Sequence, residues 1–420
     1  MKVILKSLSI VICICALAAC SSRDWQIRAN PTELAVAAAL DEQPDPAIVS
    51  EVELHEFTNA GMPKAVRPCC AFGTAQKVTV ASIPVPFYRL ANTVSLEDIG
   101  PHAYEAGTFS HQKGTPTGRR GGENNGIIYT QLGGFIDLAH VRDTADNAVA
   151  LFYQIYSQLG QEARIELPVE IGPRYIQLSA FETNHLSIKQ RQEVAANIAA
   201  RLAYFVAEAH EVAQWHGYRT WLPWSEEVSA YSPEDLYSNM LGAKIATALL
   251  SNNLTMNREL YNQHMTSWLH ATLAWLRPVS KAQTNALFDA IDGHWWDSSE
   301  ALPSKYMLLL RHYELGDEQA PYLIGKELIE QSSHGELLSA LPNMSDSPKS
   351  LSLPSIIHDI EIDKVAQQWL FVGDKHKASF KHVPEALWIN GFTSESFKEI
   401  AKYDAQIDRA ELDAHQRGSK

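Results

Sequence analysis

Two short polar runs carry the residues best suited to chemistry in this chain. One holds Asp137, His140, Arg142 and Asp143; the other holds His210 and Glu211. An imidazole beside a carboxylate can be fixed in one tautomer, gain basicity, and serve as a general base or a metal ligand. Asp137 and His140 are three residues apart, a spacing that puts both on one helical face. They follow Gly133-Gly134, which places them at or near a helix start. Free N–H groups and the positive dipole end there favour an anion or a carbonyl oxygen. His140 is the candidate base or ligand, Asp137 its orienter, and Glu211 a further catalytic carboxylate. His210-Glu211 opens like the zinc-protease helix, but Gln214 stands where the second histidine belongs. The standard zinc helix is therefore absent. A divalent metal such as zinc, held by His140 and His210 from two helices, is the metal alternative. The competing reading is a buried polar network that joins two helices and does no chemistry.

Other reactive residue types are scattered. Cys69 and Cys70 are adjacent in Arg67-Pro68-Cys69-Cys70-Ala71-Phe72-Gly73. Neighbouring cysteines form a disulfide only by distorting the peptide between them. Three states stay open: a strained vicinal disulfide, two buried thiols, or a reactive thiolate. No Gly-x-Ser-x-Gly nucleophile elbow occurs. Glu234 and Asp235 read as first-turn carboxylates stabilised by the helix dipole. Trp221, Trp224, Trp295 and Trp296, with His294, are dense enough to suggest a sugar platform, although such clusters more often fill cores.

The elements that position these residues are mostly helical. Leu138, Val141, Ala145, Ala148, Phe152, Ile155 and Leu159 repeat at three and four residues, predicting a helix from about 135 to 159. Ser187 opens a helix to about Trp215, with a large-apolar face and an opposite alanine face that ends in His210 and Gln214. Two apolar faces predict burial on both sides. Further helices are expected over about 233–250, 256–276, 281–291, 303–313 and 321–331. A strand is expected over 77–85, closed by Pro84 and Pro86, and a hairpin over 163–180 turning at Gly172-Pro173. The C-terminal stretch reads as irregular structure with short helices and a charged tail. The fold class is α+β and predominantly helical, with a small β-containing N-terminal part packed on a helical body.

The chain has 420 residues, 45 % of them hydrophobic, and a net charge of −14. That acidity disfavours nucleic-acid partners, which need basic footprints. At the N-terminus Lys2 and Lys6 precede a short apolar run and Leu17-Ala18-Ala19-Cys20. The run is too short for a bilayer span, which needs about 20 residues. It resembles the lipobox of bacterial lipoproteins. The resemblance implies a signal peptide over 1–19, cleavage before Cys20, and membrane attachment through lipid on that residue. Ser21 then implies the outer membrane, facing the periplasm. Residues 20–50 are expected as a tether containing a short helix at 31–40, 51–342 as the main domain, and 343–420 as a C-terminal extension.

Several phrases together resemble the bacterial family known as domain of unknown function 4056. They are the Arg67–Gly73 phrase, Gly133-Gly134-Phe135-Ile136-Asp137-Leu138-Ala139-His140-Val141-Arg142-Asp143, His210-Glu211, and Ser232-Pro233-Glu234-Asp235-Leu236-Tyr237-Ser238-Asn239. The resemblance covers roughly residues 60 to 340. It implies that a cysteine often stands where this chain has Gln131, so a thiol mechanism built there is lost here. The family implies no activity. Two functions are carried forward: a cell-envelope hydrolase using the His/carboxylate residues, or a non-catalytic lipoprotein that binds peptidoglycan or an envelope protein.

Overall fold

A computed structural model describes residues 30–41, 61–63, 66–67, 71–80, 83–104, 122–220, 225–339, 341 and 348–418. Helix α1 (Glu33–Leu40) starts where the Thr32 hydroxyl accepts from Ala35 N, and it buries Val36, Ala39 and Leu40. Strands β1 (Ala75–Val80) and β2 (Ile83–Ala91) form an antiparallel pair. Pro84 and Pro86 lie inside β2, with Pro84 opposite Thr79, where they were expected to close a strand. A two-stranded sheet has two edges, so a residue lacking N–H is tolerated. A second hairpin, β3 (Ile127–Thr130) and β4 (Gly134–Asp137), leads directly into helix α2 (Leu138–Ser157). Phe135 to Asp137 thus belong to a strand rather than to the expected helix.

The body is built from α2, α3 (Ile188–Trp215) and α4 (Asp235–Ser251), each packed on the other two. The Ser187 hydroxyl and the Gln190 side chain cap α3 reciprocally, as the sequence leads one to expect. Ala195, Ala196, Ala199, Ala200 and Ala203 of α3 are all buried, and small side chains there let neighbouring helices come close. Helix α4 is buried from Asp235 to Leu250. It comes close against α2 at Gly242, where a Cβ would stand 2.2 Å from the Val141 carbonyl oxygen. Helices α5 (Arg258–Trp275) and α6 (Lys281–Ala290) follow, and α1 packs on α4 and α5.

The expected 163–180 hairpin is present as β5 (Ala163–Leu167) and β6 (Arg174–Leu178), and β7 (Ala366–Leu370) adds to it in the order β7-β6-β5. The C-terminal stretch is therefore woven into the body. It ends in the 25-residue helix α7 (Ser394–Gly418) rather than in irregular structure. The helix expected over 303–313 is a single 3-10 turn, Lys305–Met307, and the one expected from 321 begins at Lys326. The class is α+β, mainly helical, with small sheets packed on the helices.

Among the described residues no helix is long and apolar enough to cross a membrane. The segment expected to act as a tether carries α1, folded onto the helical body. Membrane attachment and the outer-membrane, periplasm-facing location expected from the first twenty residues are corrected on the first of these findings, and the signal peptide expected over 1–19 lies outside the described residues. Cys20 itself lies outside the described residues.

Candidate functional site

The hairpin and α4 bring one set of polar residues together. Gly134, with φ of +66°, lets the β3–β4 turn close; a Cβ there would meet the Tyr322 carbonyl oxygen at 2.3 Å. β4 then ends at Asp137, the N-cap of α2, whose Oδ1 accepts from Ala139 N at 2.7 Å. Asp137 N donates to Ser238 Oγ of α4 at 3.0 Å. One turn into α2, His140 points at the same helix. Its Nδ1 is 3.2 Å from Asn239 Oδ1, and its Nε2 is 3.2 Å from Asp235 Oδ1. Asn239 Oδ1 also accepts from the Thr144 hydroxyl at 2.8 Å. With the proton on Nδ1, Nε2 presents its lone pair to Asp235. The ligand atoms of Asp137, His140 and Asp235 lie within 4.8 Å of one another.

The charge balance of this centre is unusual. Asp235 is fully buried, and neither of its oxygens makes a hydrogen bond. Glu234, beside it, accepts from Ser232 Oγ at 2.5 Å through Oε2 and leaves Oε1 without a partner. Glu211 of α3 accepts from Tyr231 N at 2.9 Å through Oε2 and likewise leaves Oε1 bare. Burial, then repulsion from Glu234, Glu211 and Asp137, drives the Asp235 carboxyl far above the usual carboxylate range. Burial pushes Glu234 up to about 8 and raises Glu211 as well. Four buried carboxylates thus face one histidine, and a low-dielectric site tolerates such an excess only with bound protons or a bound cation. The His140 side chain is 13 % exposed, whereas the four carboxylates are buried.

The expected site residues divide. Asp137 and His140 come together with Asp235. Glu211 belongs to the same electrostatic neighbourhood, since His140 and His210 both favour its charged form. His210 has other partners: its Nδ1 is 2.8 Å from Glu170 Oε1 and its Nε2 3.1 Å from Gln214 Nε2. Although burial works against the charge, Glu170 pushes His210 up to about 9. Arg142 serves structure. Fully buried, it donates to the carbonyls of Glu123 and Gly100 at 2.9 Å and to Asn125 Oδ1 at 2.6 Å. Trp296 is core, with its Nε1 donating to the Phe288 carbonyl. Cys69, Cys70, Trp221 and Trp224 lie outside the described residues.

Asp235 and Asn239 were the residues that sequence reasoning passed over. The signal was a stripe: Asp235, Ser238, Asn239 and Gly242 recur at helical spacing on α4, otherwise strongly apolar. A second group, His216, His382 and Asp404, also has ligand atoms within 4.8 Å of one another. Each of the two His/Asp groups could coordinate a divalent cation.

The model of the family described as Protein of unknown function (DUF4056) matches residues 57–325, so the chain belongs to that family. No curated protein and no solved structure matches it.

Proposed function

We propose, for this member of the DUF4056 family, that the His140 centre is a metal-assisted hydrolytic site. Asp137, His140 and Asp235 would hold a divalent cation such as zinc, whose Lewis acidity lowers the pKa of a neighbouring water. Glu211 and Glu234, each with an oxygen lacking a hydrogen bond, are the groups to take the proton from that water. Asn239 is the positioning residue: it sets the imidazole so that Nε2, not Nδ1, is the ligand. The observation that carries this reading is Asp235, fully buried without a hydrogen bond to either oxygen, 3.2 Å from an imidazole nitrogen. A carboxylate so placed costs several kcal/mol unless a cation or proton compensates it, on the order of 3–5 kcal/mol for a broken buried pair.

One observation favours a second reading, a structural cation in a non-catalytic binding protein. Asp137, Glu211, Glu234 and Asp235 are all sealed from solvent to within 2 %. The two readings separate in one experiment. The full chain is loaded with zinc and assayed against chromogenic acyl esters and phosphoesters, alongside His140→Ala. Hydrolysis that disappears together with the bound zinc in His140→Ala supports the hydrolytic site. Zinc that is bound and lost on mutation, without hydrolysis in either protein, supports the structural cation. Hydrolysis unchanged in His140→Ala, or no zinc bound by either protein, sinks the site.

A further inference from the structure

The second His/carboxylate group lies mostly outside the stretch shared with the family. His216 is the C-cap of α3, whereas His382 and Asp404 both follow residue 325, where the family match ends. His382 Nε2 is 2.7 Å, and His216 Nε2 3.3 Å, from one and the same oxygen, Asp404 Oδ1. Ligand atoms of a tetrahedral zinc site, each about 2.0–2.1 Å from the metal, stand at about that larger separation.

The outer contacts prepare the three groups for that use. His216 Nδ1 lies 3.2 Å from Ser379 Oγ, and Ser379 Oγ donates to the His376 carbonyl at 2.8 Å. The hydroxyl has a single proton, so its oxygen receives the Nδ1–H of His216. In the neutral ring that leaves a lone pair on Nε2, aimed at a carboxylate oxygen. Nε2 is buried and makes no hydrogen bond of its own. Two acceptors facing each other at 3.3 Å repel unless an electrophile lies between them. The Phe380 ring stacks on His216 at 3.5 Å between centroids, and Tyr231 OH donates to Asp404 Oδ2 at 2.9 Å. Ring and carboxylate are thus held by groups that are not themselves ligands, the pattern that orients metal ligands. The His382 side chain is 18 % exposed, which gives an ion a way in and water a fourth position.

We infer that His216, His382 and Asp404 bind a divalent transition metal of the zinc class, and that this ion fastens helix α7 to the end of α3. The inference stands apart from the reading of the His140 centre, since the two sites share no ligand. Metal here would join the C-terminal segment to the family-matched region through bonds that the helices alone do not supply.

The test is a cobalt(II) titration of the full chain, followed by visible absorption and checked by zinc competition. His382→Ala should weaken this site enough that one equivalent of bound metal is lost. Ser379→Ala should weaken it about tenfold through loss of ring orientation. His382→Cys should keep the metal and add a thiolate-to-cobalt band in the near ultraviolet, a gain of signal that a purely structural His–Asp contact cannot give. If His382→Ala fails to fold, the cysteine variant decides. The same metal stoichiometry in the parent and in folded His382→Ala overturns the inference, as does the absence of the thiolate band in folded, cobalt-treated His382→Cys.

Discussion

The Arg67 network and the His140 centre are made of the same residue types at similar depth, yet their charges balance differently. Around Arg67, all six oxygens of Glu123, Asp143 and Asp146 receive a donor. Arg67 supplies its Nε, Nη1, Nη2 and backbone N, and His102, Tyr261, Asn125 and the Ala103 backbone supply the rest. Burial alone would raise Glu123, but Arg67 and Arg142 hold it well below the usual carboxylate range. Around His140 four carboxylates stand near a single imidazole, and four of their oxygens make no hydrogen bond. The first arrangement leaves no carboxylate oxygen without a donor and has the form of a clasp joining residues 67, 102 and 123 to α2. The second needs bound protons or a cation, and its three ligand atoms within 4.8 Å of one another could coordinate a cation. Burial and charge do not separate the two clusters; whether each carboxylate oxygen meets a donor does.

The largest effect should come from breaking the Arg67 cluster. Arg67→Met strands the buried Glu123 and Asp146 and the half-buried Asp143, and should cost about 3–5 kcal/mol in urea unfolding. Asp235→Asn, measured on metal-free protein, should be neutral or stabilising, because a neutral amide replaces a carboxyl that burial and the neighbouring acids already keep from ionising. A large loss of stability in metal-free Asp235→Asn would mean that the centre is already balanced, and the contrast would fail.

A third buried carboxylate, Glu208, sharpens the comparison because burial outweighs the nearby Arg201 and raises it. Glu208 accepts from Tyr204 OH at 2.9 Å and Gly316 N at 2.6 Å through Oε1, while Oε2 is bare. Burial pushes it up to about 8. Its folded pKa lies above its unfolded one, so its contribution is complete at acid pH and is lost as pH rises toward 8. The slope there should approach about 1.4 kcal/mol per pH unit. Glu208→Gln, which keeps the acceptor, should match the parent near pH 4.5 and exceed it in stability by a few kcal/mol near pH 8.5, a gap set by that same slope. Parallel stability–pH curves would contradict this.

Zinc should raise the unfolding free energy of the parent by about 2.7 kcal/mol for each occupied site at a hundredfold excess over that site's dissociation constant. With the second site silenced by His382→Ala, Asp235→Asn should abolish the remaining gain. Gly242→Ala tests the approach that presents Asp235 and Asn239 to His140. Its Cβ would sit 2.2 Å from the Val141 carbonyl oxygen, and overpacking of this kind costs about 1–3 kcal/mol. Zinc affinity should fall with it; stability or zinc affinity equal to the parent's would show that α2 need not lie so close.

Periodicity and turn residues made much of this legible in the sequence. The reciprocal Ser187–Gln190 cap, the long α3 and the Gly172-Pro173 hairpin follow from local signals that tertiary packing did not override. Phe135–Asp137 were misassigned because apolar spacing in a short stretch does not distinguish a strand from the helix it leads into. Helix α7 was missed although Phe397, Ile400 and Ala401, all buried, carry helical spacing; the surrounding charges masked it. Asp404 continues that same face, and an acid in a core position was the available sign of the second cluster. At the His140 centre, Asp137 and His140 were visible by spacing alone. Asp235 was not, because a first-turn acid has an ordinary explanation in the helix dipole, and only the packing of α4 against α2 shows that its oxygens face no donor.

The most direct test is a count of bound zinc. The full chain carrying His382→Ala is dialysed against dilute zinc and its metal content measured, with and without Asp235→Asn. If the His140 centre holds a cation, the first protein binds one equivalent and the second binds none. Equal zinc content in the two proteins, or none in either, would contradict it.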